Sequence, residues 1–257
     1  EPTYESLLEA VRRSPAVYAD ETGARMSGRP WWLWVFTTPD TTVYAQRPSR
    51  GFDVIEEILG ADFDGKIGHD GYAVYDRLLR AIHQQCLQHP LARIKEMLQV
   101  APRGARAFLK AVKRFIQDAL DLRDRYLAGE VSKHGLAVAR GRLGWRQDEL
   151  LSKGLRYGPN KTFQKHLRKH HNEWLTFLWY PGELEGTNWR GEQAVRPAVV
   201  IRKMSGGHRS PIGAWAQDVA PSILRTSHQR GADALDLVGR IVCAPRPMVF
   251  AIAPRAP

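Results

Sequence analysis

The 257-residue chain carries 38 Lys and Arg against 27 Asp and Glu, a formal charge of +11, with 43% apolar residues. That apolar content can build a sizeable core in one or two domains, while two cysteines, Cys86 and Cys243, exclude a disulfide-built scaffold and suit a reducing cytoplasm. With no run of about 18 apolar residues and no charged-then-apolar leader, neither a membrane span nor a secretory signal is expected.

Tyr4 to Arg13 opens the chain with helical character. The segments Ala16–Ala19, Trp31–Thr37, Thr42–Gln46 and Lys66–Gly68 are short, rich in Val, Trp, Phe, Tyr and Thr, and bounded by turn residues; they are expected as strands. Helical spacing marks Phe52–Leu59 and Tyr75–Ile82, giving the order three strands, helix, strand, helix. From Leu91 the periodicity turns helical: Leu91–Val100, Ala105–Tyr126 and His134–Lys153 place apolar residues three or four apart, and Phe163–Trp179 continues the pattern. Helices resume after Pro181, and the Pro-rich end shows no clear element. The expected organisation is an α/β core begun in residues 1–90, a helical insertion over 91–180, the rest of the core over 181–240, and a tail over 241–257.

The charge is not spread evenly. Leu91–Tyr180 holds 19 Lys and Arg against 8 Asp and Glu, and the rest of the chain holds 19 of each. The whole excess sits in the helical block, as expected of a surface that neutralises phosphates. A solvated helix surface is the plainer alternative. Lys165, Arg168 and Lys169 form its densest cluster, with His170 and His171 read as basic surface. Trp174 and Trp179 suit packing better than stacking on an unpaired base.

Against this basic background, three acids stand out. Asp20 and Asp70 each end a short apolar, strand-like run, and Glu192 opens a helix-like stretch. Carboxylates from two strand ends and a helix suit convergence on divalent cations. Asp70, followed by glycine, also suits a turn. Glu21 is adjacent to Asp20, but strand neighbours point to opposite faces, so only one of the two can face such a site. Glu183 and Glu185 flank Pro181-Gly182 as loop residues. Asn188, Glu192 and Arg196 share one helical face at four-residue spacing, with Pro197 able to kink that helix. Cys86-x-x-His89, with His83 nearby, lacks a second ligand pair and makes a poor closed zinc site; a packing or site-supporting part is expected. Arg202-Lys203, followed by Ser205-Gly206-Gly207-His208-Arg209, is a donor-rich stretch suited to phosphates.

A resemblance joins these pieces. Tyr18-Ala19-Asp20-Glu21-Thr22, Trp32-Leu33-Trp34-Val35, Pro48-Ser49-Arg50-Gly51, Phe63-Asp64-Gly65, His69-Asp70-Gly71-Tyr72 with Tyr75, and His83 to His89 resemble consecutive blocks of the insertion-sequence-66 transposases. Asn188, Glu192, Arg196-Pro197 and Arg202-Lys203 resemble the block with that family's last acid. The likeness runs in order from about Val17 to Gly231. It implies a ribonuclease H-like mixed sheet flanked by helices, interrupted by the basic insertion. It further implies metal-dependent strand cleavage and transfer by a DDE triad of Asp20, Asp70 and Glu192 holding two Mg²⁺ (or Mn²⁺). DNA contacts are expected from Arg50, Asn188, Arg196, Arg202 and Lys203 and from Lys165, Arg168 and Lys169 in the insertion. Double-stranded DNA, a homo-oligomer on that DNA, and a bacterial, nucleoid-associated cytoplasmic location complete the expectation. A different ribonuclease H-like nuclease, such as a resolvase or RNA hydrolase, and a non-catalytic DNA-binding relative are the alternatives.

Overall fold

A computed structural model describes residues 1–254, which fall into two units: residues 1–82 with those from 189 onward, and His83–Asn188. The first unit holds strands β1 to β4 of a mixed sheet ordered β3-β2-β1-β4-β5, whose last strand begins at the unit's boundary. The sheet's strands are β1 (Ala16–Met26), β2 (Arg29–Thr37), β3 (Thr42–Arg47), β4 (Lys66–His69) and β5 (Ile82–Gln85). β1 to β3 form an antiparallel meander, and β4 runs parallel to β1. Strand β1 continues seven residues past the expected Ala19, because its polar second half pairs along the Trp-rich β2 through a tight turn. That turn holds Ser27 and Gly28 at φ 49° and 78°, the positive pair a two-residue hairpin needs.

Period-two alternation sends side chains to two cores. On one face Val17, Ala19, Trp34, Phe36, Val43 and Ala45 pack against helices α1 (Pro2–Arg12) and α2 (Phe52–Leu59). On the other, Leu33, Val35 and Tyr44 meet Ala194, Val195 and Ala198 of α7 (Trp189–Ser205). Helix α7 continues through Pro197, whose ring is exposed to solvent. The outer edge of β3 is closed by α8 (Pro211–Gln229). The backbone N–H groups of Thr42, Tyr44 and Gln46 donate to Thr226 Oγ1, Ser222 Oγ and Asp218 Oδ1 at 3.0, 2.9 and 2.7 Å. Strand donors two residues apart thus meet acceptors four apart on one helix face, leaving no bare edge there. Helix α9 (Ala234–Val242) follows, and the tail beyond it has no regular element. The tail still docks Ile252 in the α1 core, and its last residues, 255–257, lie outside the described residues.

The second unit contains α3 (Gln88–Val100), α4 (Arg103–Leu127), α5 (Lys133–Ser152) and α6 (Gly158–Lys169). Its core includes Leu109, Val112, Phe115, Ile116, Leu136, Leu143, Phe163, Leu167 and Trp174. It holds 19 Lys and Arg against 10 Asp and Glu.

Three local expectations need correction. Tyr75–Ile82 is not a helix: one 3-10 turn, Tyr75–Arg77, buries Tyr75 and Leu78, and strand β5 begins at Ile82. Helical spacing of Tyr75, Leu78 and Ile82 mimicked a longer element. The expected helix Phe163–Trp179 ends at Lys169 and gives way to two 3-10 turns. His170 is not surface: it is buried, with Nδ1 3.0 Å from Gln85 Nε2 and 3.1 Å from Glu173 Oε2.

Candidate active site

Sheet register places the first two acids. Tyr18 pairs with Gly68 across the parallel β1–β4 ladder. Asp20 and Asp70 each lie two residues beyond that last pair, Asp20 within β1 and Asp70 in the turn just after β4. The pleat also fixes the face. Asp20 is opposite Val35, and Val35 packs under α7. Asp20 therefore belongs to the face that α7 covers, as does Asp70 by its parity with Gly68. Gly68 has to be glycine, since a Cβ there would lie 2.7 Å from the Tyr18 ring. Glu192 sits in the first turn of α7, whose following residues Ala194 and Val195 rest on that same face. Tyr44 fixes the helix in place, its hydroxyl donating to the Ala194 carbonyl at 2.7 Å.

The electrostatics agree with this placement. The Asp20 carboxyl is pushed up to about 7, first by burial, then by the charges of Glu21 and Asp70; the Glu192 charge adds to the same effect. A hydrogen bond from the Glu21 N–H to Asp20 Oδ1, 2.9 Å long, acts in the opposite direction. Asp70 also holds its own turn, Oδ1 accepting from the Tyr72 N–H at 2.9 Å around Gly71, whose φ is +91°. The turn that the Asp-Gly pair suggests is therefore present.

Glu21 faces away from Asp20, opposite Trp34 and into the α1–α2 side of the sheet. Its side chain is 1% exposed, and it receives Arg50 Nη2 at 2.8 Å, Arg50 Nε at 3.3 Å and the Tyr75 hydroxyl at 3.0 Å. The Arg50 guanidinium lies over the Trp32 and Tyr72 rings, 4.3 and 4.1 Å from their centroids. Burial raises the pKa of Glu21, and Arg50 is the main counterweight. Sequence reasoning missed this network. Adjacent Asp-Glu was its one visible trace, and the Arg50 partner is 29 residues away.

The remaining residues expected to touch DNA occupy varied settings. Arg196 and Lys203 are exposed on α7, while Arg202 donates to Thr22 Oγ1 of β1 at 3.3 Å. The loop after α7 is pinned to the β1–β2 turn, with His208 N–H donating to Arg25 O at 2.9 Å and Ser27 N–H to His208 O at 2.7 Å. Gly207 there has φ +113°, and a Cβ would lie 2.5 Å from the Arg25 carbonyl. In the second unit, Lys165 and Lys169 are exposed. Arg168 binds the Leu151 carbonyl through Nε and Nη2 near the end of α5. Asn188 is buried, its N–H donating to Cys86 Sγ at 3.1 Å. Trp174 is buried, with its indole N–H on the Leu167 carbonyl, and Trp179 is exposed beneath the Arg140 guanidinium.

No helix among the described residues is long and apolar enough to cross a membrane. Residues 1–216 match the model of the Transposase IS66 family, a span that contains Asp20, Asp70 and Glu192. No curated protein matches the chain.

Proposed function

The chain belongs to the Transposase IS66 family, and from that premise we propose that it cleaves DNA strands and joins them to a target through Asp20, Asp70 and Glu192. What supports this reading is geometry: Asp20 and Asp70 follow the last paired residues of β1 and β4, and Glu192 opens the helix packed on that face of the sheet, while burial first and the charges of Glu21, Asp70 and Glu192 after it push the Asp20 carboxyl up to about 7. A buried carboxyl crowded by other acids ionises readily only beside a compensating cation. The donors are all carboxylate oxygens, which fits Mg²⁺ or Mn²⁺. Asp20, Asp70 and Glu192 would hold two such ions, which when bound would activate a water or 3′-hydroxyl and stabilise the leaving oxygen of an in-line phosphoryl transfer.

The protein's own share is placement. In this reading β1 and the turn after β4 present Asp20 and Asp70, and the first turn of α7 presents Glu192. Double-stranded DNA, as element ends and as target, is the proposed substrate. The basic surface of the second unit, with Lys165 and Lys169 exposed, supplies sequence-independent phosphate affinity. The protein acts as a homo-oligomer on DNA in the bacterial cytoplasm, associated with the nucleoid.

The test is nicking of DNA bearing the element's ends, compared with random duplex and with an RNA–DNA hybrid, with Mg²⁺ and with EDTA. Wild type is expected to nick only with the metal and to prefer the element's ends. Asp20→Ala, Asp70→Ala and Glu192→Ala are each expected to lose cleavage while keeping wild-type circular dichroism. Preferred cleavage of the hybrid would instead mark an RNA hydrolase, and folded Glu192→Ala protein nicking at near wild-type rate would remove Glu192 from the site.

A further inference from the structure

Glu21 has no part in that chemistry, yet it is a buried acid next to the most crowded carboxyl of the site. Its partner Arg50 spends two nitrogens, Nε and Nη2, on the same oxygen of Glu21 and lays its plane over two aromatic rings. Turning to a DNA phosphate would strip a carboxylate that is 1% exposed of its counter-charge.

We propose that Arg50 is a positioning residue that sets the spacing of Asp20 and Asp70, rather than a DNA contact. It reaches both. Through Glu21 it fixes the residue whose N–H is bonded to Asp20 Oδ1 at 2.9 Å. Through Tyr72 it fixes the residue whose N–H is bonded to Asp70 Oδ1 at 2.9 Å. The Tyr72 ring lies against the guanidinium, and its hydroxyl donates to the Arg50 carbonyl at 3.2 Å. The Tyr75 hydroxyl, from the segment following Asp70, closes the arrangement on the other oxygen of Glu21. One guanidinium therefore ties the middle of β1 to the turn after β4, in the gap where those strands no longer pair. Lysine lacks both the fork and the flat face needed for this.

This inference rests on the proposed metal site, and the experiment separates the two. Mn²⁺ binding is followed by electron paramagnetic resonance on the full chain. DNA affinity is measured without divalent ions over a salt series. Arg50→Lys is expected to weaken Mn²⁺ binding at least tenfold, the usual effect of losing a residue that orients metal ligands. Its DNA affinity and salt dependence should match wild type. Unchanged Mn²⁺ affinity overturns the clamp, as does a DNA affinity loss in Arg50→Met with a salt slope shallower by about 0.9, the mark of one lost phosphate contact that the charge-keeping lysine would not show. Should Arg50→Lys misfold, Glu21→Gln, Arg50→Met and their double variant form a cycle that leaves no buried charge alone in the double. If Arg50 acts through Glu21, the second change adds little to the first; additive losses overturn the proposal. A wild type that binds no Mn²⁺ ends the metal site and the clamp together, whereas equal binding by wild type and Arg50→Lys ends the clamp alone.

Discussion

Replacing Asp20 by Asn should stabilise the metal-free protein, and only above a definite pH. The Asp20 carboxyl titrates near 7 instead of 3.8. Between these values the folded protein keeps a proton that the unfolded chain has released, so stability falls as pH rises from about 4 to about 7. At about 1.4 kcal/mol per pH unit the full displacement is roughly 4 kcal/mol. Water still reaches this half-buried group, which reduces the figure to roughly 2 kcal/mol. Asn keeps an oxygen for the Glu21 N–H and removes the charge. Thermal unfolding in EDTA should therefore show only a small difference in melting temperature near pH 4.5. Above pH 7 Asp20→Asn should gain roughly 4–8 °C, at about 2–4 °C per kcal/mol for a chain of this size. Asp218, raised by burial to about 7, titrates in both proteins and cancels in the difference. Saturating Mg²⁺ at pH 8 should narrow the gap by stabilising wild type. A difference that is the same at pH 4.5 and pH 8 would refute the reasoning, because it would show that Asp20's charge is not what costs stability.

Other outcomes follow from the same geometry. Glu192→Gln, which removes the charge but not the shape, should lose cleavage while leaving the melting temperature within about 2 °C of wild type, its half-exposed position making few demands on packing; scanning calorimetry beside the nicking assay checks both. Lys165→Glu with Lys169→Glu should flatten the dependence of DNA affinity on salt by about 2 in log–log slope if each meets a phosphate. An unchanged slope would return that cluster to ordinary solvated surface. Ser222→Ala should cost about 1–3 kcal/mol in urea unfolding, since it orphans the Tyr44 N–H. Asp218→Ala should cost more, because Arg47 loses its 2.9 Å partner as well.

Strands β2 and β3 and helices α2 to α5 were legible because their period and boundaries are local properties of the chain. Asp70 just past a strand and Glu192 at a helix start were legible for the same reason, whereas Asp20, expected at a strand end, lies in the middle of β1. What escaped is settled by distant partners. Strand β5 carries no alternation, yet Gln84 and Gln85 are buried because the Phe177 N–H takes the Gln84 Oε1 and His170 and Glu173 take the Gln85 amide. Arg50 read as a cation for DNA, since nothing nearby in sequence shows that Glu21 lies beneath the strand and needs a partner. Arg202 and the glycines after it suggest a phosphate loop, and no local signal shows that the His208 backbone just beyond them secures the β1–β2 turn. In each case the residue's partner in the structure is distant in sequence.

The ladder between β3 and α8 behaves as a vernier. Four helix residues advance about 6.0 Å and two strand residues about 6.8 Å, so successive rungs drift by about 0.8 Å. Three rungs accumulate about 1.6 Å, and the bonds lengthen along the ladder from 2.7 to 2.9 to 3.0 Å. A fourth rung of short side chains would fall out of phase. The chain ends the scale at both sides by other means. Beyond Gln46 the next matching position on the strand is Pro48, which has no N–H, and the helix offers Ala214, which has no acceptor. Beyond Thr42 the next helix position is Arg230, long enough to span the drift and reach the Asp40 carbonyl at 3.0 Å. The seal on this edge strand thus ends where the strand loses its N–H and the helix its acceptor on one side, and where Arg230 takes over on the other.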